Sequence, residues 1–178
     1  MRTSEARSKL TEFNARLDAQ GQLTAEKMAV TGISLVVERL QRQGVDGAAY
    51  SKRRMPIKWL EGKSLNSKGE QYIADQKEAH QGGNWGEFRV EQGLQIAHVD
   101  LTYSGRMLGG WLVLNVSTEG RGRFVARTGG ADKEVDDKLF YQVTRYGDEV
   151  FDPTPDEQAE IDEIAIDDCL EILRLVFG

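Results

Sequence analysis

The sequence has few of the residues that build cross-linked or metal-stabilised domains. It contains one cysteine, Cys169, and two histidines, so an internal disulfide cannot form and an ordinary structural zinc site would lack ligands. Its longest nearly apolar stretch is residues 107–116, whereas a membrane-spanning helix needs about 20 residues. No apolar run follows the first charged residues, which predicts that there is no secretory signal. We therefore expect a protein that stays in the compartment where it is made.

Charge is distributed unevenly along the 178 residues. Between Asp148 and Glu171 there are eleven acidic residues and no basic one, whereas residues 1–147 carry 18 acids and 22 bases. A weakly basic body with a strongly acidic C-terminal element indicates a contact between unlike surfaces, within a chain or between chains. A solvated acidic helix face explains the same pattern, and the sequence leaves both interpretations open.

The length of the chain predicts a single domain, residues 1–178, because two full domains would not fit. Four regions are expected along it: a helical region at 1–43, an extended loop or arm at 44–93, a β-rich core at 94–147 and an acidic C-terminal helix at 148–178. This order, without βαβ alternation, predicts an α+β fold in which N-terminal helices and a C-terminal helix pack on a small antiparallel β-sheet.

Apolar spacing predicts the helices. Residues 5–20 and 24–43 each show the repeat of an amphipathic helix. Near the other end, residues 154–157 have the Thr-Pro-Asp-Glu arrangement of a capping box, and an apolar stripe follows at 161–176. Cys169 falls within this stripe and is predicted to be a core residue.

Alternating polar and apolar residues predict strands at 95–101, 111–117 and 122–128, of which the last two form an antiparallel hairpin. The segment 137–146 fits either a helix or a strand. Within the turn-rich region from 44 to 93 only one short helix, at about residues 67–78, is predicted. A long stretch without regular structure is more often functional or ordered by a partner.

No catalytic constellation stands out. His98 and Asp100 fall on one face of a predicted strand, but their side chains would lie about 7 Å apart, too far for a hydrogen bond. Gly62-Lys63-Ser64 is similar to the end of a phosphate-binding loop, yet that motif needs glycine where this chain has Ile57. We therefore expect no enzyme activity, no metal and no cofactor, and a hydrolase is the hypothesis with the least support.

A basic cluster with interleaved aromatic residues runs from Lys52 to Lys68. Such a cluster can bind single-stranded nucleic acid through phosphate contacts and stacking, so a DNA-binding module using this segment is one hypothesis. Glu61 and Glu70 interrupt the cluster and the chain as a whole is acidic, which favours a protein interface instead, because interface cores are rich in Trp, Tyr and Arg. The candidate interface residues are Tyr50, Arg53, Arg54, Trp59, Lys63, Trp85 and Arg89.

Three stretches, residues 50–63, 83–111 and 145–148, resemble a known family. Together they resemble the neck or tail-completion proteins of tailed bacteriophages, the superfamily that includes minor tail protein Z and the virion-morphogenesis proteins. The family has a Thr/Ser-Gly signature, which corresponds here to residues 104–108, and a later turn at an aromatic residue and glycine. The motif positions are Ser104, Gly105, Arg106, Gly109, Gly110, Trp111, Tyr146, Gly147 and Asp148. The glycines among them also fit turns or bulges that admit close backbone packing.

The resemblance implies a non-enzymatic virion protein, assembled in the cytoplasm of the host bacterium. Its expected form is a homo-oligomeric ring, commonly of six copies, in the neck between the head connector and the tail terminator or tail tube. DNA would pass through the lumen without specific binding, and no membrane would be involved. In such a ring one face meets a different face of the next copy. The basic segment and the acidic C-terminal element are the predicted partners in that contact.

Overall fold

A computed structural model describes residues 3–120 and 122–178. This part of the chain is 61% helical and has six α-helices and two separate antiparallel sheets of two strands each, which confirms the predicted α+β class. The elements are α1 (Thr3–Arg42), β1 (Arg54–Met55), α2 (Ser67–Glu78), β2 (Gly83–Asn84), α3 (Trp85–Glu91), α4 (Arg106–Gly109), β3 (Trp111–Thr118), β4 (Phe124–Gly130), α5 (Lys133–Tyr146) and α6 (Pro155–Phe177), with short 3-10 helices at Ile57–Trp59 and Asp148–Phe151.

Residue contacts divide the chain into two compact units. Unit 1 combines Met1–Glu38 with Met107–Gly178, and unit 2 is Arg39–Arg106. The whole of the predicted extended arm, residues 44–93, therefore lies in a unit with secondary structure and a core of its own. The arm is not irregular as expected, because polar side chains start helices within it. Asn66 accepts a hydrogen bond from the backbone N–H of Gly69 and caps α2, and Asn84 does the same for α3.

The core of unit 2 is built on three buried side chains, Leu60, Ile73 and Phe88. Aromatic rings surround Phe88: the ring centroids of Trp85 and Tyr72 lie 5.8 and 5.9 Å from its own. The predicted helix at 67–78 is confirmed in type and bounds as α2. Because aromatic pairs at this spacing add to the burial of apolar area, this small unit can hold together without a disulfide.

The predicted strand at 95–101 is wrong, since these residues form bends and irregular backbone, and Leu101 has φ +53°. Local hydrogen bonds replace a strand ladder there. The side-chain amide of Gln95 donates to the carbonyl of His98 at 2.9 Å, and its carbonyl oxygen accepts from the backbone N–H of His98 at 3.2 Å. A side chain that satisfies backbone groups locally competes with sheet pairing.

In unit 1, α1 continues as one helix where the sequence predicted two separated near Gly21. Gly21 lies against the ring of Phe124 in β4, and a Cβ at this position would overlap the ring. Glycine inside a helix costs about 1 kcal/mol relative to alanine. The close approach of the hairpin to α1 needs this glycine, so it marks a packing site within the helix.

The predicted β-hairpin is confirmed as β3 and β4, which pair from Trp111 opposite Gly130 to Thr118 opposite Phe124, with an irregularity between Val113 and Asn115. The ambiguous segment 137–146 belongs to α5, whose first turn is capped by Asp132 through a hydrogen bond from the backbone N–H of Val135.

The capping box of α6 is confirmed. The backbone N–H of Thr154 donates to the Glu157 carboxylate at 2.7 Å, and the backbone N–H of Glu157 donates to the Thr154 hydroxyl at 3.3 Å. α6 contacts α1 through Asp168, which accepts hydrogen bonds from the hydroxyl of Thr24 at 2.5 Å and the ammonium of Lys27 at 3.2 Å. The ring centroid of Phe177 in α6 also lies 6.2 Å from that of Phe13 in α1, so charged and apolar contacts join the C-terminal helix to the N-terminal one.

Candidate functional site

A buried ion pair lies inside unit 2. The Arg89 side chain, with a relative exposure of 1%, donates from its guanidinium to both carboxylate oxygens of Asp100 at 3.1 and 3.2 Å. It also donates to the backbone carbonyls of Gln95 at 3.1 Å and Thr102 at 2.5 Å. The Tyr50 ring covers the guanidinium, whose carbon is 4.2 Å from the ring centroid. Every side of this cation is therefore in contact with the chain's own atoms.

Hydrogen bonding sets the protonation of this cluster. Burial alone would raise the pKa of Asp100, but hydrogen bonds from Tyr50 and the Thr102 backbone, together with the charge of Arg89, outweigh it and lower the pKa. Burial and the hydrogen bond to Asp100 raise the pKa of the Tyr50 hydroxyl above its ordinary range. At neutral pH Asp100 is thus charged and Tyr50 is neutral. The Tyr50 hydroxyl donates to the carboxylate at 2.6 Å.

This cluster holds backbone segments together. A catalytic acid or base needs a lone pair or proton directed at a substrate. Here the carboxylate of Asp100 accepts from Arg89, from Tyr50 and from the backbone N–H of Thr102 at 3.0 Å. The ring of His98, which the sequence analysis placed on one strand face with Asp100 but too far from it for a hydrogen bond, lies 3.0 Å from the carbonyl of Gln41. The cluster therefore stabilises the fold of unit 2 by joining these backbone segments.

Some of the seven predicted interface residues make contacts within the fold, and the others are exposed at the surface. Arg89 lies inside the unit and Tyr50 covers it, so both are used within the chain. Trp85 is half-buried, with its ring centroid 5.1 Å from that of Tyr103. The Lys63 ammonium lies 6.0 Å from the centroid of the Trp85 ring.

Arg54 is exposed, but its guanidinium fixes a turn. It donates to the side-chain oxygens of Gln76 and Gln81 at 3.3 and 2.9 Å and to the carbonyl of Gly82 at 2.9 Å. Arg53, Trp59 and Lys63 are exposed as well. Lys63 also contacts its own unit, because its ammonium lies near the Trp85 ring and its carbonyl accepts a hydrogen bond from the Tyr103 hydroxyl. Arg53 and Trp59 are the predicted residues whose side chains have the fewest contacts within the fold.

The positions of the family signature form turns and helix ends. Gly105 has φ +75° and directly precedes α4, and Gly147 has φ +96° and ends α5. Glycine favours such left-handed backbone because it lacks a Cβ. Trp111 begins β3, and its ring centroid is 5.0 Å from that of Phe151. The remaining motif residues, Ser104, Arg106, Gly109, Gly110, Tyr146 and Asp148, lie next to these turns.

The outer surface of α6 carries a feature that the sequence interpretation missed. Ile166, Leu170, Leu173 and Phe177 are all exposed, and their spacing of four, three and four places them in one row along the helix. Phe177, at the end of the row, also contacts α1, since its ring centroid lies 6.2 Å from that of Phe13. The buried side chains of α6 form another row, which contains Ile161, Ile172 and Val176. A single apolar stripe was predicted from 161 to 176, and it included Leu173. The signal for two stripes was present, since the apolar positions are too many for one face.

A parallel row of carboxylates flanks this apolar row. Asp156, Glu160, Glu163 and Asp167 follow the same spacing of four, three and four, and all are exposed. On a helix with 3.6 residues per turn this row lies directly beside the exposed apolar row. We call the two rows together the outer face of α6.

Within residues 3–120 and 122–178, no group of three or more His, Cys, Asp or Glu side chains could hold a metal ion. None of the helices in this same part of the chain is long and apolar enough to cross a membrane. Comparisons with protein-family models, curated proteins and solved structures find no match to this chain.

Proposed function

We propose that this protein is a structural subunit of a tailed-phage virion. Copies of it form an oligomeric ring, of six copies, in the neck. There the ring completes the tail and joins it to the head connector around the DNA channel. The proposal rests on the resemblance in residues 50–63, 83–111 and 145–148 and on the two kinds of exposed surface that the chain carries.

One observation carries the proposal: the chain exposes two surfaces of opposite charge, each with apolar side chains at its surface. Residues 50–68 contain six bases and one acid, with Trp59 and Leu65 exposed. The helix α6 contains eight acids and one base, with its apolar row exposed. Heterologous assembly needs two different faces on one subunit that fit each other. Exposed apolar patches rimmed by polar residues mark binding surfaces.

The buried polar cluster supports a non-enzymatic role. Its charged groups, Arg89 and Asp100, pair with each other and with backbone groups, which is the arrangement of a structural ion pair. We therefore place the function of this chain in its surfaces, with the cluster serving to keep unit 2 folded.

A phage that lacks the gene for this protein tests the proposal. We expect separate heads and tails in electron micrographs, no infectious particles, and rescue by the wild-type gene supplied in trans. Antibody or gold label against a tag on the rescued protein should mark the neck. Normal infectivity without the protein, or label elsewhere on the particle, would contradict the assignment.

A DNA-binding module is the second candidate. Its support is that Lys52, Arg53, Lys58 and Lys68 are exposed in the same segment as the exposed ring of Trp59. Binding through these groups would release counterions, so the affinity for single-stranded or duplex DNA would fall steeply with salt. Absence of binding at low salt removes this candidate, and tight binding that Lys58→Glu abolishes would favour it over the ring.

A further inference from the structure

We infer that the outer face of α6 binds the basic segment, residues 50–68, of a second copy of this chain. The inference rests on the oligomer in the proposed function and names the two surfaces that build it. Both surfaces are described residues of one chain, and each carries an apolar centre with charges of one sign around it. The contact is heterologous, because the two surfaces are different.

The outer face of α6 has apolar area that its own unit does not cover. The relative exposure of Ile166 is 56% and that of Leu170 is 41%. Burying such side chains in an interface would stabilise it, because apolar area is removed from water. A helix that packs only on α1 needs one apolar stripe, and the second stripe is a reason to expect another partner.

Charge decides which partner fits. The helix α6 has a net charge of −7 from eight acids and one base. Pairing two copies of α6 along their apolar rows would bring two such helices together, and like charges across an interface are destabilising. A partner that covers the row must be basic. Residues 50–68 have a net charge of +5, the opposite sign.

The basic segment has the side chains for the centre of such an interface. Trp59 and Leu65 are 57% and 49% exposed, although their neighbour Leu60 is fully buried. Tryptophan in a desolvated interface is among the residues that most often dominate binding energy. The segment turns between these two side chains, where the backbone N–H of Lys63 donates to the carbonyl of Leu60 at 3.0 Å.

The cations of the segment are available for this contact. Lys58 and Lys68 have no ion-pair partner among the described residues, and both are exposed. By contrast, Lys77 pairs with Glu61 at 2.8 Å and so neutralises the one acid of the segment. Lys58 and Lys68 can therefore face Glu163 and Asp167 of the second copy, with the apolar side chains of both surfaces between them.

A pair of charge-reversed variants tests the contact. The first variant is Lys58→Glu with Lys68→Glu, and the second is Glu163→Lys with Asp167→Lys. Sedimentation velocity of the wild-type chain over a range of concentrations should show reversible association. We expect each variant alone to associate at least tenfold more weakly, because each would place like charges in contact. An equimolar mixture of the two variants should recover association, since each reversed surface then meets a complementary one.

Two matched substitutions control for unspecific charge effects. Lys133→Glu changes an exposed lysine that pairs only with Asp137, at 2.8 Å, on its own helix. Glu149→Lys changes an exposed acid of the segment before α6. Both controls should associate as the wild type does, and circular dichroism should show that all variants keep their helix content.

Three outcomes would overturn the inference: a wild-type chain that stays monomeric, reversed variants that associate normally, or a mixture that does not recover. If the partner is a different basic protein, the wild-type chain alone stays monomeric, which is the first of these outcomes. The neck assignment is tested separately, by the phage that lacks the gene. If the labelled protein lies in the neck but the mixed variants do not associate, only the proposed contact is refuted. If the mixed variants associate but the label lies elsewhere on the particle, only the neck assignment is refuted.

Discussion

Unit 2 and helix α6 differ in how far they bury their side chains. In unit 2, Phe88 and Leu60 are fully covered and even the charged Arg89 is enclosed by its own chain. In α6, side chains of the same apolar kind, Ile166 and Leu170, lie at the surface in a regular row. All groups of the polar cluster are paired within unit 2, so the cluster stabilises the fold, whereas the row in α6 leaves apolar area at the surface, where we propose that a second copy binds.

Replacing Arg89 by methionine should give the largest effect, because it leaves the carboxylate of Asp100 buried without its cation. Removing one partner of a buried ion pair typically costs about 3–5 kcal/mol. Urea denaturation should therefore show a loss of this size, with early loss of structure in unit 2. Arg53→Met is the control, and its effect should stay within about 0.5 kcal/mol because Arg53 is exposed. Equal stabilities of the two variants would show that the cluster does not hold the unit.

Two isoleucines of α6 sharpen the distinction between the buried and exposed rows. Ile161→Ala should lower the free energy of unfolding by about 2–5 kcal/mol, because the side chain is buried next to α1. Ile166→Ala should change it by only about 0.5 kcal/mol and should weaken self-association instead. Urea denaturation and sedimentation velocity measure the two effects. A large loss of stability at Ile166 would mean that the outer row belongs to the core.

Gly21→Ala tests the packing of the hairpin on α1. The added methyl group would overlap the ring of Phe124, and overpacking costs about 1–3 kcal/mol. The better helix propensity of alanine offsets up to about 1 kcal/mol of this. Thermal unfolding should show a net loss. The control is Gly109→Ala, at which no atom lies within 4 Å of the added Cβ. A stabilised Gly21 variant would contradict the close approach.

The pH dependence gives the smallest effect. The pKa of Asp100 is lowered in the folded state, so the unfolded chain takes up the proton first as the pH falls. The stability that this carboxylate contributes is present above about pH 4, the ordinary pKa of aspartate, and is lost as the pH falls through the folded-state value. The free energy of unfolding of the Asp100→Asn variant should therefore fall less than that of the wild type between about pH 5 and about pH 2. Identical pH profiles for the two proteins would exclude the proposed coupling.

Local patterns predicted much of the fold. Residues 67–78, 111–117 and 154–157 carry helix, hairpin and capping signals within a few residues, and the structure has these elements in place. The strand prediction at 95–101 was wrong because it used only the alternation of polar and apolar residues. In the structure, the side chains of Arg89 and Gln95 hydrogen-bond to backbone groups of this region and replace strand pairing. Such bonds depend on side chains that meet only in the folded chain.

The arrangement of the candidate surfaces was predictable only in part. The exposed positions of Trp59 and Lys63 agree with an interface, but a buried Arg89 could not be told from an exposed one, since arginine is mostly found at the surface. The second apolar row of α6 is visible in the spacing of 166, 170, 173 and 177. Periodicity alone does not say which of two rows on a helix meets the core.

Native mass spectrometry of the purified chain, alone and with the adjacent virion proteins, tests most directly whether its exposed surfaces bind copies of itself. We expect one closed assembly of identical copies, six in the expected ring, which Glu163→Lys with Asp167→Lys disperses into folded monomers. A chain that remains monomeric at every concentration, with and without those proteins, would contradict the proposal that this protein works by assembling.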